Sequence, residues 1–94
     1  MMERVSELAT HDAAKAVAHP LRVTILELPD GRVASPIELA RELDETIGNV
    51  AYHARILRRL GAIRLVRTRQ VRGAVEHFHT AAVRITITQE AIAD

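Results

Sequence analysis

The stretch SPIELARELDETIGNVAYHARILRRLG, residues 35 to 61, decides how this chain folds. Ser35 stands three residues before Glu38, the spacing at which a serine hydroxyl and a glutamate carboxylate satisfy each other's backbone N–H groups. Pro36 takes the first helical position, where a missing N–H removes no bond. A short helix opens there, with Leu39, Ala40 and Leu43 facing inward. Asp44-Glu45 form a tight connection. Thr46 can cap the next helix, which runs from Ile47 to about Leu60 and stops at Gly61. A short helix, a tight turn and a longer helix make a helix-turn-helix.

At about 100° per residue, Val50, Ala54, Leu57 and Leu60 fall on one side of the longer helix, with His53 at the edge as a packed residue. Gly48, Tyr52, Arg55 and Arg59 lie opposite. A helix that reads DNA needs this division, because one side fixes it to its neighbour while the other enters the major groove. Gly48 and Ala51 let the backbone approach the groove floor. Asn49 and Tyr52 flank that gap: Asn pairs with adenine, Arg with guanine, and Tyr meets a thymine methyl or a phosphate. Asn49, at the third helical position, serves equally as a local cap.

Outward from this centre, residues 3 to 18 place Val5, Leu8, Ala9, Ala13, Ala16 and Val17 at helical spacing, as one helix or as two with a restart capped by Thr10. His19-Pro20 marks a boundary, with His19 as cap or turn residue. A helix follows from Pro20 to about Leu28, bearing Leu21, Ile25 and Leu28 on one face, and Pro29-Asp30-Gly31 begins a turn that reaches Ser35. Beyond Gly61, Ile63 to Arg69 and Ala74 to Thr80 read as strands joined through Gln70-Val71-Arg72-Gly73, a hairpin with a basic tip. In the tail, Val83, Ile85 and Ile87 alternate as in a strand, while Thr88 to Ile92 fit a helix start. The fold class is mainly α with a β-hairpin wing, in a single domain over residues 1–94.

Residues 46–75 hold seven arginines and no acid, whereas residues 1–45 are net −4 and residues 76–94 net −2. The overall charge of +1 hides this polarity. A local field of one sign attracts polyanions whatever the total. Tyr52 and Phe78 are the only aromatics, which disfavours single-strand binding by base stacking, and the lack of Cys excludes disulfides and thiolate chemistry. Neither a signal peptide nor a membrane span is legible, so a cytoplasmic, nucleoid-associated protein is expected. No nucleophile and base pair, phosphate-cradling Gly loop or spaced carboxylate couple suggests an enzyme, and no cofactor is expected.

The chain resembles the winged helix-turn-helix repressors of the ArsR/SmtB type. The resemblance rests on Ala18-His19-Pro20-Leu21-Arg22 with Ile25-Leu26, on Pro36 to Ala40, on Val50-Ala51-Tyr52-His53 with Leu57, and on Leu60-Gly61-Ala62-Ile63 before the hairpin. It implies a homodimer on a palindromic operator in double-stranded DNA, with residues 1–18 as a dimerisation helix, 19–80 as the winged core and 81–94 as a further dimer contact. The candidate duplex-binding residues are Thr46, Gly48, Asn49, Ala51, Tyr52, Arg55, Arg59, Arg67, Arg69 and Arg72. The Cys-rich metal motif of many members would fall near Ile37 to Ala40, where there is none, and no His follows Thr80, so no metal site is expected at those places. His77 and His79 share a strand face but lack further ligands, and they read as solvent-facing or phosphate-facing. The alternative function is a winged-helix protein interaction module, whose arginines would meet an acidic partner.

Overall fold

The computed structural model describes residues 8 to 83. These form helices α1 (Thr10–Ala16), α2 (Pro20–Leu26), α3 (Pro36–Leu43) and α4 (Ile47–Arg59), followed by strands β1 (Ile63–Val71) and β2 (Ala74–Ala81). Expected features of residues 1–7 and 84–94, including the start of the N-terminal dimer segment, most of the C-terminal one and the tail's choice between strand and helix, lie outside the described residues. Among the described residues no helix is long and apolar enough to cross a membrane.

Helix boundaries follow side-chain chemistry. Thr10 begins α1 rather than capping it; Ala9 holds the cap position without a side-chain bond. His19 caps α2, its Nδ1 accepting the Leu21 N–H at 3.0 Å with Pro20 next in line. That helix stops at Leu26, short of the expected Leu28, although Leu28 still packs on the core. At α3 the capping box forms in full: Ser35 Oγ accepts from the Glu38 N–H, and Glu38 Oε1 accepts from the Ser35 N–H. Asp44 ends α3 in the left-handed region at φ 56°, which Asp tolerates better than most residues, and the Glu45 N–H returns to the Ala40 carbonyl. Thr46 Oγ1 then accepts the Asn49 N–H at 3.1 Å and starts α4.

Helix α4 lies at the centre, packed against α3, α2 and β1. Its Val50, His53, Ala54 and Leu57 are buried with Leu21, Ile25 and Leu26 of α2, Leu39 and Ala40 of α3, and Ala62-Ile63.

The antiparallel hairpin is longer than expected. Its turn is Arg72-Gly73 alone, both at positive φ (47° and 81°), the two-residue geometry whose twist matches that of the flanking strands. Gln70 and Val71 therefore belong to β1. Val66 is an extra residue in β1 that breaks the register between Leu65 and Arg67. A further bridge joins Ala34 to His79 through two backbone hydrogen bonds, so the segment entering α3 is tied directly to β2.

Candidate nucleic-acid interface

The side of α4 away from the core carries Gly48, Asn49, Tyr52, Arg55 and Arg59, all exposed, with Tyr52 53% accessible. Arg55, Arg58 and Arg59 pair with no carboxylate among the described residues. The guanidinium charges of this helix therefore face outward without an internal counter-ion. Ala51 is half-buried and turned toward β2, where it lines an open groove with Pro36, Ala54, Arg55, Arg58, His77 and His79. A Cβ added at Gly48 would meet nothing within 4 Å, so no internal contact requires glycine there.

Two expected contacts have intramolecular partners as well. Thr46 uses its hydroxyl as the cap of α4, and the Asn49 side-chain N–H donates to Glu45 Oε1 at 2.9 Å on the surface. The cap of α4 is thus Thr46, not the Asn49 side chain.

Behind the helix, Arg22 Nε donates to His53 Nδ1 at 3.1 Å, and Arg22 Nη1 donates to the Lys15 carbonyl at 2.7 Å. The His53 ring lies 4.1 Å from that of His19 and edge-on to Tyr52 at 5.0 Å. Burial, then His19 and Arg22, hold the His53 imidazolium below its ordinary range, which keeps Nδ1 an acceptor near neutrality. Arg22 thereby joins the end of α1 and α2 to the recognition candidate α4.

No protein-family model and no curated protein sequence matches this chain. Its functional reading rests on its own residues.

The hairpin arginines separate into two groups. Arg72 sits in the turn, exposed, at the far end from α4. Arg69, expected at the tip of the wing, instead stands opposite Glu76 and forms an ion pair with it at 2.8 Å; its carboxylate partner lies one residue beyond the acid-free stretch. Glu76 is buried and also accepts the Ser35 hydroxyl proton. Arg67 pairs across the strands with Phe78 and lies over its ring, 3.9 Å from the centroid. Arg67 and Arg69 are therefore on the face of the hairpin opposite His77 and His79. Among the described residues no group of three His, Cys, Asp or Glu side chains could hold a metal ion.

The Ser35 hydrogen bond, then Arg69, hold the Glu76 carboxyl below its ordinary range, against a smaller opposing effect of burial. A depressed folded-state value means stabilisation present above the unfolded carboxylate value of about 4.3 and lost as pH falls below it. Arg69→Ala should lower the melting temperature at neutral pH and weaken the loss of stability on acidification, while Arg72→Ala should leave both unchanged. Thermal unfolding of the two variants between neutral pH and about pH 3 checks this; equal behaviour would show that the Arg69 pair contributes nothing.

Proposed function

We propose that this chain is a sequence-specific, duplex DNA-binding transcriptional regulator of winged helix-turn-helix build, a repressor of the ArsR/SmtB type acting as a homodimer on a palindromic operator. The observation that carries the reading is the division of α4: one side is wholly committed to the core, while the other presents an exposed Tyr52 and the guanidinium groups of Arg55 and Arg59, which have no carboxylate partner among the described residues. In this reading α3 and α4 are the helix-turn-helix, the first turns of α4 enter the major groove, and Arg72 brings the hairpin to the adjacent backbone. Gly48 supports it, because an exposed helical glycine costs up to about 1 kcal/mol against alanine and has no internal reason here. Close approach of a partner gives it one.

Selection of bound sequences from random duplex tests the reading. An inverted repeat should be enriched, and affinity for it should fall steeply with salt as phosphate contacts release counterions. In sedimentation the protein should be a dimer at micromolar concentration. No enrichment, with weak and salt-insensitive binding, would sink the proposal. Ile47 and Val75, about half exposed beside Ile37, favour a second reading in which the same surface meets a protein. An acidic protein partner that binds tightly while every duplex binds weakly would establish it instead.

A further inference from the structure

The groove between α4 and β2 gathers four basic or titratable side chains from two elements. Arg55 and Arg58 are three residues apart on α4 and so share a helix face; His77 and His79 are two apart on β2 and so share a strand face. All four line one open depression, with Pro36, Ala51 and Ala54 as its small, unobstructing floor. The residues of β1 opposite the two imidazoles, Thr68 and Leu65, carry no charge. Glu76, the neighbouring acid, has its carboxylate on the other face of β2, taken by Ser35 and Arg69. The charged or titratable side chains lining the depression are therefore all basic.

We propose that Arg55, Arg58, His77 and His79 form a phosphate-binding site, and that in the duplex complex it holds one backbone phosphate and makes DNA binding take up protons. Its DNA occupant rests on the function proposed above. A phosphate group offers several oxygens in different directions, which suits planar guanidinium forks from one wall and imidazole N–H donors from the other. A metal cation is disfavoured by the same two guanidinium groups. The half-buried His79 is kept below the ordinary histidine range by burial, by Arg58 and by His77. An anion between these groups reverses the charge effects and favours the protonated form. Affinity then rises as pH falls through the histidine range.

The experiment compares wild type with the double variant H77Q/H79Q, measuring duplex affinity from about pH 7.5 to about pH 6 at fixed salt. Imidazole NMR signals are followed in parallel during addition of duplex or of inorganic phosphate. Wild-type affinity should tighten about fivefold over this range, as expected for uptake of a fraction of a proton per pH unit. The double variant should show little change, and near pH 6 its salt slope should be shallower by about one unit. His53 lies outside this groove, so any contribution from its protonation persists in the double variant and is separated from that of His77 and His79. Duplex binding with the same pH dependence in both proteins overturns the site and leaves the DNA function standing. Failure of every duplex to bind, with His77 and His79 still shifted by inorganic phosphate, overturns the DNA function and keeps the anion site. No response to either ligand overturns both.

Discussion

Truncating Leu57 to alanine should remove about 2 to 5 kcal/mol of unfolding free energy, the range for a large-to-small change at a site that cannot collapse. Leu57 has no accessible surface, and it stands in the last turn of α4, the helix that packs against α2, α3 and β1. Its carbonyl also accepts the Ala62 N–H at 2.9 Å, joining α4 to the start of β1. Domains of this kind hold about 5 to 15 kcal/mol in total, so a large share of the stability depends on this one side chain. Urea unfolding should show the midpoint falling accordingly. Arg59→Ala, on the exposed side of the same helix, should leave the midpoint in place. A loss under about 1 kcal/mol for Leu57→Ala would mean that α4 is not the hub of the core.

The second large effect concerns recognition. Asn49→Ala should weaken binding to the selected operator by about 1 to 3 kcal/mol, the worth of a bidentate base contact, and change affinity for random duplex little. The structure makes this a clean substitution: the backbone N–H of Asn49 is capped by Thr46, and the side chain's bond to Glu45 lies on the surface. Melting temperature should therefore hold. Arg59→Ala, three turns further along, should lower both affinities together and flatten the salt dependence by about one unit, as loss of a phosphate contact does. Titrations of each variant against operator and scrambled duplex at several salt concentrations decide between these patterns. If Asn49→Ala lowers the melting temperature and weakens both duplexes equally, Asn49 is structural and bases are read elsewhere.

Signals confined to a few neighbouring residues were legible in the sequence. The Ser35, Pro36 and Glu38 start, the His19 cap, the Thr46 cap and the two-sided character of α4 all depend on hydrogen bonds or periodicity within one turn or one helix. What escaped depends on contacts between distant segments. The Ala34 bridge to His79 needs two strands brought together by the fold, and the Arg69 pair with Glu76 needs the hairpin register, whereas a charge reading simply ended at Val75. The turn begins two residues later than Gln70 because Arg72 adopts a positive φ for which an arginine gives no composition cue. Arg58 falls between the buried and the outermost sides of α4, so periodicity gives it no role, and only the packing of α4 beside β2 brings it to the groove.

The single unpaired residue Val66 sorts the basic side chains of the hairpin by parity. Before it, Ile63 and Leu65 lie opposite Ala81 and His79; after it, Arg67 and Arg69 lie opposite Phe78 and Glu76. Cross-strand partners share a face, so the extra residue inverts the alternation of everything that follows along β1. Were Val66 instead paired with Phe78 in an unbroken ladder, Arg67 and Arg69 would fall opposite His77 and Val75, on the side of His77 and His79. Two guanidinium groups would crowd toward Arg55 and Arg58 while Glu76 lost its cation and Phe78 its cover. A one-residue frame in β1 thus keeps apart two populations of positive charge, one bound inward to the protein and one left open to a ligand.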